Sequence, residues 1–507
     1  MKIARRTFAT RHGRLLLGVA LGAVAAAAVQ PAPAHAQAYN ANPTVVGGNA
    51  TITNGSGTST ITVNTPQAII DWQSISVPTN PFLFLPAGNV ATYQNGTLGA
   101  NFAVLNRILV SVPSQFDGRV VSQLRDLAGV ASPGGTVAFQ STGGIIVGAG
   151  ATFDVGNLLL TTLTVGTNAN AGTFVEPDGT IQFAGAPTAN SSITTIGESR
   201  VTADREGSWA AFVAPSITHS GLVSVNGSTA YVAMRAGSIR VDQGLFDIIV
   251  TTGTAQASAI THNGETGGPS STGAAGDNHR IYLVAAAQGA TTQLLLGGNV
   301  GFDDAASASV ENGVIYLSSG RTTPQVTDYS QTPGVPIPTG TGTGTITLQD
   351  LDIRSRLQGF ATGGISSNPS VFNAREIVGV NLYAGGGITI GATGGDVFVG
   401  NLGANQQITV TGPNGNIRTA NVLSGGNVLI DAGGSLIVGD VTGLETILEA
   451  GSTITGGTIR ATGNRGGGGN DDVELTAPGA IVIGSASTVS EDIIVNAGTF
   501  TATTLNS

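Results

Sequence analysis

Glycine recurs at intervals of mostly eight to ten residues over residues 425–463, and this rhythm limits the possible folds more than any other feature of the chain. The glycines separate short apolar segments such as Val428–Ile430, Leu436–Val438 and Ile454. These segments are too short for helices and are rich in β-branched residues. The pattern therefore predicts a series of short strands separated by turns.

The way in which such strands pair decides between a sandwich, a barrel and a β-solenoid. Sequence signals for hairpins are scarce between the strands. Three strands with their turns occupy about 24 residues, close to one coil of a three-sided solenoid. A chain of 507 residues also exceeds what one ordinary core organises. We therefore predict an all-β fold, a parallel β-helix (β-solenoid) with projecting loops.

The N-terminus has the features of a signal peptide. Basic residues precede an apolar run from Leu15 to Val29, and Ala34, His35 and Ala36 form a small-x-small cleavage site. Gln37 is then the first residue of the mature chain. The apolar run is shorter than the roughly 20 residues of a membrane span, and no later segment is long enough, so we expect no membrane span in the mature chain. Sec export is favoured, with a twin-arginine route as the alternative.

The charge balance excludes several classes of partner and enzyme. Removal of residues 1–36 leaves 15 basic and 30 acidic residues, a formal charge of −15, and no lysine. Nucleic acid requires basic surface, so it is not an expected partner. Catalysis by a lysine base or Schiff base is also excluded. The chain has no cysteine, so neither disulfides nor thiolate metal sites are expected.

Two segments interrupt the strand rhythm. Residues 253–280 are small and polar, and residues 322–345 contain four prolines with alternating glycines at the end. We interpret both as loops that project from the solenoid. The second segment can equally be a linker between two solenoid parts.

The N-terminal half contains an ordered series of motifs that resembles the secretion domain of filamentous-haemagglutinin-type exoproteins. This resemblance covers roughly residues 45–250. Its segments are Ala68–Ser76 (AIIDWQSIS), Ala103–Ile108 (AVLNRI), Pro113–Arg119 (PSQFDGR), Thr136–Thr164 (TVAFQSTGGIIVGAGATFDVGNLLLTTLT) and residues 212–250.

The resemblance implies a right-handed β-helix closed by an N-terminal cap. It also implies secretion through an outer-membrane partner barrel, with the β-helix folding at the cell surface. It also identifies candidate secretion-motif residues, which are Asn106, Arg107, Gln140, Ser141, Thr142, Gly143, Gly144 and Ile145. The family has Asn-Pro-Asn where Gln140, Ser141 and Thr142 stand here. We expect that restoring Asn-Pro-Asn leaves the fold and its stability nearly unchanged but lowers export through this chain's own partner.

Residues with catalytic or metal-binding potential are few. His219, His262 and His279 show no metal-ligand spacing. Pairing of His262 with Glu265, or of Asp277 with His279, is conceivable, but a solvated polar loop is the favoured interpretation. Gly466–Glu474 fits one copy of a calcium-binding nonapeptide, and a single copy lacks the stacked neighbour that such sites share. We therefore predict no catalytic residue, no metal and no cofactor, and expect calcium to leave stability unchanged.

Two tryptophans have a structural interpretation. Trp72 is expected to cover the first coil, and Trp209 to be a core or capping residue rather than a ligand platform.

These features divide the chain into four parts. They are a signal peptide (1–36), a secretion domain (37–255), a loop- and linker-bearing region (256–345) and further β-helix repeats (346–507). The predicted function is that of an exported, non-enzymatic adhesin or surface-structural protein on the Gram-negative outer face or outside the cell, with an unknown cell-surface or glycan ligand. The alternative is a β-helical polysaccharide-active enzyme, for which acidic pairs such as Asp303 and Asp304 would supply acid and base.

Overall fold

The computed structural model describes residues 37–167, 172–184, 191–242, 244–272, 278–303, 314–320, 343–367, 372–374, 380–392, 396–463, 472–489 and 491–507. Within these residues the regular elements are all strands, and none is a helix that could cross a membrane. The residues from Ala36 onward form one compact unit.

The first strands are β1 (Ala41–Gly55), β2 (Thr58–Ser74), β3 (Phe82–Leu85), β4 (Val90–Asn95), β5 (Ala103–Ile108), β6 (Ser114–Phe116), β7 (Arg119–Arg125), β8 (Ala131–Pro133), β9 (Thr136–Gln140), β10 (Ile145–Val147), β11 (Thr152–Asp154), β12 (Asn157–Thr161), β13 (Thr164–Val165) and β14 (Thr180–Ala184). They are followed by β15 (Ser192–Thr195), β16 (Arg200–Ala214), β17 (Ser216–His219), β18 (Leu222–Asp242), β19 (Leu245–Gly253), β20 (Ser258–His262), β21 (Glu265–Gly268), β22 (Arg280–Ala285), β23 (Thr292–Phe302), β24 (Val314–Ser319), β25 (Gly344–Ile353), β26 (Arg356–Ala361), β27 (Ile365–Ser367) and β28 (Phe372–Ala374). The last are β29 (Val380–Ala384), β30 (Ile388–Gly391), β31 (Val397–Phe398), β32 (Leu402–Ala404), β33 (Ile408–Gly412), β34 (Ile417–Arg418), β35 (Val422–Ser424), β36 (Val428–Ala432), β37 (Leu436–Ile437), β38 (Val441–Gly443), β39 (Thr446–Ala450), β40 (Ile454–Ala461), β41 (Val473–Ser487) and β42 (Ile493–Asn506).

The strands stack in parallel into three faces. Face 1 runs through β4, β7 and β11 to β34 and β37, face 2 through β5, β9 and β12 to β35 and β38, and face 3 through β6, β10 and β15 to β36 and β39. Long strands such as β2, β16 and β41 bend from one face into the next. The structure thus confirms the predicted all-β, parallel β-helix class.

Aliphatic side chains of equivalent rungs fill the interior of the helix, because parallel in-register strands place like positions directly above one another. On face 3 this gives a continuous buried ladder. Its members include Ile145, Ile193, Ile217, Ile260, Leu294, Ile346, Ile365, Ile388, Ile408 and Val428.

The coils are shorter than the expected 24 residues in the C-terminal part. Ile388, Ile408 and Val428 stack at intervals of 20 residues. The reason is that strands of face 1 have only two residues there, as in β31, β34 and β37.

The first coil is closed by a hairpin. Strand β1 pairs antiparallel with β2 along nearly its whole length, from Ala41 opposite Ser74 to Gly55 opposite Thr58. The hairpin covers the β2 edge that would otherwise remain unpaired, and an unpaired edge invites aggregation. The predicted N-terminal cap is therefore confirmed.

A second sheet packs on the outside of face 2. Strand β13 pairs with β14, β14 with the last part of β18, and β18 with β19, all antiparallel. Phe183, Ile239 and Ile248 of this outer sheet share a buried cluster with outward-facing residues of face 2 such as Leu159 and Ala211. Face 2 is thus buried on both sides over these coils.

The interpretation of residues 253–280 as one projecting loop is wrong. Strands β20 and β21 lie within this segment and continue faces 3 and 1 of the helix. Small polar residues can occupy outward positions of a rung, so the polar composition of residues 253–280 did not indicate these two strands. Residues 322–342, most of the second proposed loop, lie outside the described residues.

Candidate secretion-motif site

The motif segments of the N-terminal half lie on successive rungs of face 2. Ile70 of β2 is in register with Asn106 of β5, which is in register with Phe139 of β9, and Phe139 with Leu160 of β12. Segments that are 21 to 36 residues apart in sequence therefore contact one another directly. This arrangement places the candidate residues within the first coils beneath the cap.

Asn106 is a buried polar centre inside the helix. Its Oδ1 accepts hydrogen bonds from Trp72 Nε1 at 2.9 Å and from the Tyr93 hydroxyl at 3.0 Å, and its Nδ2 donates to the Ala138 carbonyl at 3.1 Å. The Tyr93 hydroxyl also lies 2.8 Å from that of Tyr39. Burial raises the pKa of both tyrosines, so their hydroxyls keep their protons and remain donors. The side chain thereby ties three rungs and the N-terminal segment together.

Aromatic rings fill the space around this network. Tyr39 stacks on Phe84 with a centroid distance of 4.4 Å and meets Trp72 edge-on at 4.6 Å, while Phe116 and Phe139 are 5.0 Å apart. These geometries are those in which aromatic pairs attract each other. Trp72 therefore belongs to the interior beneath the cap, and the cap hairpin itself is the cover.

Arg107 points outward from the rung that holds Asn106. Its Nε and Nη2 donate to the two carboxylate oxygens of Asp71 on the preceding rung, at 2.5 and 2.8 Å. Both side chains remain partly exposed. Arg107 is consequently the member of the pair Asn106–Arg107 that another protein can contact on the folded surface.

Residues 140–145 form the corner between face 2 and face 3. The Ser141 amide donates to the Thr161 carbonyl at 3.0 Å, and the Ser141 hydroxyl lies 2.9 Å from that of Ser114. The Gly144 amide closes the turn on the Ser141 carbonyl at 3.1 Å, and Gln140 Oε1 accepts from the Val165 amide at 2.9 Å. The corner thus connects three rungs and β13 of the outer sheet.

Close backbone packing explains the two glycines of this corner. A Cβ on Gly143 would lie 2.4 Å from the Val112 carbonyl oxygen, and Gly144 has a φ of +121°. Ile145 then turns inward and joins the face 3 ladder. Of residues 140–145, only Thr142 is partly exposed in the folded protein, and the others are buried.

This geometry corrects the expectation that Asn-Pro-Asn could replace residues 140–142 without a loss of stability. Proline at position 141 has no amide hydrogen, so the bond to the Thr161 carbonyl would be lost in a buried position. The hydroxyl pair with Ser114 would be lost as well. The expected effect on export stays a prediction.

The histidines are not in solvated loops. His219 and His262 are stacked on adjacent rungs inside the helix, with ring centroids 4.8 Å apart. His219 Nδ1 lies 2.7 Å from the Thr195 hydroxyl, and His262 contacts the Gly297 carbonyl and the Thr266 hydroxyl, each at 2.8 Å. Burial lowers the pKa of both, for His262 to about 4. These are neutral core residues, and sequence spacing did not indicate them because the two positions are brought together by coil stacking.

The other candidate groups do not form a metal site in the part of the chain that the structure describes. Within the described residues no cluster of three or more histidine, aspartate and glutamate side chains could hold a metal ion. Asp277, Asp304, residues 466–471 of the calcium-like motif, and Ala34 and Ala36 of the proposed cleavage site lie outside the described residues. Gln37 is the first described residue, and its Nε2 donates to the Ala41 carbonyl at 3.0 Å.

Sequence reasoning missed Tyr39, Tyr93 and Ser114, which hold the motif residues in place. Tyr39 and Tyr93 carry no motif signal, and Ser114 does not stand out within the motif segment Pro113–Arg119. The hydrogen-bond partners of all three are 13 to 54 residues away in sequence.

Comparison with known proteins identified structures but no sequence family. No family model matches the chain, and no curated protein matches it in sequence. One similar solved structure is the HMW1 secretion domain from Haemophilus influenzae, at 14% identity and a TM-score of 0.36, covering 91% of this chain and 99% of that one. Another is the filamentous hemagglutinin secretion domain, at 14% identity and a TM-score of 0.35, covering 77% of this chain and 99% of that one.

Proposed function

We propose that this chain is an exported surface protein of the two-partner secretion type, carried outward by an outer-membrane barrel and displayed as a rigid β-helix. The observation that carries the proposal is the convergence of the motif residues. The separate segments that resemble the secretion domain meet on successive rungs beneath one cap, around Asn106. A chance resemblance of unrelated short segments would not predict that these segments stack on successive rungs.

The architecture suits export of an unfolded chain. A β-helix forms mainly contacts between adjacent coils, so it can grow rung by rung as the chain emerges. The chain has no cysteine, and no disulfide has to form before or after export. The capped coils at the N-terminus provide the first template on which later rungs pair.

The proposed role at the surface is adhesive or structural rather than catalytic. The described residues that could act as acids or bases are dispersed, and the buried histidines are engaged with hydroxyl and carbonyl groups. We expect the purified chain to leave a panel of acidic polysaccharides intact. Clear depolymerisation would replace this proposal with the enzymatic alternative.

Export is tested with the full chain, including residues 1–36, expressed in a Gram-negative host. The host carries or lacks an outer-membrane barrel taken from the genome that encodes the chain. We expect surface display, measured by protease accessibility on intact cells, only when the barrel is present. Equal display without a barrel would contradict the two-partner route. Attachment of the displaying cells to host cells or to abiotic surfaces then tests the adhesive role.

A matched pair of variants tests the secretion motif. Arg107→Ala removes the exposed partner of Asp71, and Arg240→Ala removes the exposed partner of Asp247 in the outer sheet. Each exposed pair contributes at most about 1 kcal/mol, so both variants should fold. We expect Arg107→Ala to lower export and Arg240→Ala to leave it unchanged. Equal export of the two would remove Arg107 from the motif.

A further inference from the structure

A pocket of about 430 Å³ opens at the seam between face 2 and the outer sheet. Its floor follows one in-register line of the helix, formed by Gln67, Thr136, Asn157 and Trp209. Val175, Ile181 and Val241 form the opposite wall. Its volume is within the range of small-ligand sites, which is about 300–1,000 Å³.

The pocket combines apolar walls with hydrogen-bond donors that are not used. Trp209 and Phe102 line the pocket although they are only 7% and 2% exposed, and Asn101 is exposed. Asn101 Oδ1 accepts from the Phe102 amide, whereas its Nδ2, like the Trp209 Nε1, donates to no acceptor in the described part of the chain. The Thr136 hydroxyl accepts a bond from Asn157 at 3.0 Å and can still donate one. The available groups are therefore donors directed at a ligand rich in acceptor oxygens.

The lining contains no charged side chain among the described residues. Close to the lining in sequence, Arg240 is paired with Asp247 and the Asp178 carboxylate accepts from the Thr180 amide. Glu176 and Asp242 follow the lining residues Val175 and Val241, but neither lines the pocket. An anionic ligand would find no cation here, and the formal charge of the whole chain, −10, opposes it further. A cationic ligand would find no carboxylate. The site selects an uncharged ligand.

The floor also repeats along the helix axis. Adjacent rungs are about 4.8 Å apart, so Thr136, Asn157 and Trp209 offer one side chain per rung along a straight line. A repeating floor of this kind fits a polymer with similar units better than a compact cofactor. Sugar rings have apolar C–H groups that suit apolar walls and hydroxyl oxygens that accept from amide and indole donors.

We infer that this seam binds a short stretch of uncharged glycan, with one sugar unit accepting a hydrogen bond from Trp209 Nε1 and the next units along Asn157, Thr136 and Asn101. The inference gives the proposed surface role a ligand class and rests on that role for its biological setting. Glycan binding is measured on purified protein, so a negative result there can be distinguished from a failure of export.

The two tryptophans make the test specific. Trp72 is fully buried inside the helix, whereas Trp209 lines the pocket and is 7% exposed. The probes are neutral tetrasaccharides of glucose, galactose and N-acetylhexosamine, titrated into the full mature chain with tryptophan fluorescence and calorimetry. We expect saturable binding of at least one of them, accompanied by a change in the emission of Trp209.

The variants Trp209→Phe and Asn101→Ala should each weaken binding by about three- to tenfold, the loss expected for one hydrogen bond. Asn101 is exposed, so its variant should fold normally even if Trp209→Phe does not. Asn405→Ala, at an exposed position of the C-terminal coils that does not line the pocket, is the control and should bind like the original. The inference is overturned if no neutral tetrasaccharide binds, if both pocket variants bind as tightly as the original, or if a sulfated oligosaccharide or a peptide occupies the pocket instead.

Discussion

At the scale of single residues, the largest polar side chains inside the β-helix are held by networks of hydrogen bonds. Asn106 makes three hydrogen bonds, and the stacked histidines have hydroxyl and carbonyl partners. A buried polar group without a partner costs about 1–3 kcal/mol. Single substitutions at these points should therefore have large effects.

Asn106→Ala should destabilise the protein by about 2–4 kcal/mol, because it leaves Trp72 Nε1 and the Tyr93 hydroxyl without their acceptor. The measurement is equilibrium denaturation in urea. Gln123→Ala is the control, since its amide lies at the surface in a weak contact of 3.4 Å with Gln94, and its effect should stay within about 0.5 kcal/mol. Similar losses in the two variants would contradict the role of Asn106.

The buried histidines should make the middle coils sensitive to acid. Their folded pKa values are lowered, so the unfolded chain binds more protons than the folded chain below about pH 6.5. The contribution of neutral His262 to the free energy of unfolding is fully present above that pH. It is lost as the pH falls toward the folded pKa of about 4, and the whole change is roughly 3 kcal/mol.

His262→Leu should remove much of this pH dependence. Leucine already occupies the equivalent position of the next rung, Leu296, so the ladder can accept it. The groups around the pair are Thr195, Tyr231, Thr266 and backbone carbonyls, with no buried carboxylate to hold a protonated ring. Denaturation midpoints at pH 7 and pH 5 measure the effect. An unchanged difference between the two pH values in the variant would exclude His262 as the cause.

At the scale of elements, the corners decide how one face passes into the next. Corner residues 140–145 connect rungs that hold the secretion-motif candidates, and backbone of neighbouring coils packs directly against Gly143. Corners with open space around the glycine are under no such constraint. Glycines at tightly packed corners and glycines with open space around them should therefore respond differently to replacement by alanine.

Gly143→Ala should destabilise the fold by more than 1 kcal/mol, because the added Cβ would lie 2.4 Å from a backbone oxygen that cannot move away alone. Gly150→Ala is the matched control, because the nearest atom would be 3.5 Å away and its φ is not positive. Thermal unfolding of both variants measures the difference. A neutral Gly143→Ala would show that the corner relaxes more easily than its packing indicates.

At the scale of the whole molecule, stability is distributed along the helix axis. Each rung pairs with the rungs on either side, and the face 3 ladder continues through coils of different lengths. Such proteins behave approximately as one-dimensional arrays with nearest-neighbour coupling. A defect should accordingly be felt most strongly in adjacent coils.

Ile408→Asp places a carboxylate in the buried ladder between Ile388 and Val428. We expect amide hydrogen exchange to rise in β30, β33 and β36, while β5, β9 and β12 near the cap keep their protection. Ile437→Asp, at an exposed position of the same region, is the control and should change little. A uniform loss of protection along the chain would show global rather than local coupling.

The sequence by itself determined the class of fold, because glycine spacing and β-branched segments report directly on turns and strands. The N-terminal cap followed from the resemblance of its motifs to a known family. It also identified Asn106 and the corner at residues 140–145. It did not reveal that His219 and His262 lie in the core, that residues 258–268 form two rungs, or that Trp209 lines a pocket. Those properties depend on which rungs stack and where the outer sheet covers face 2. Stacking joins residues tens of positions apart, so only the tertiary structure decided them.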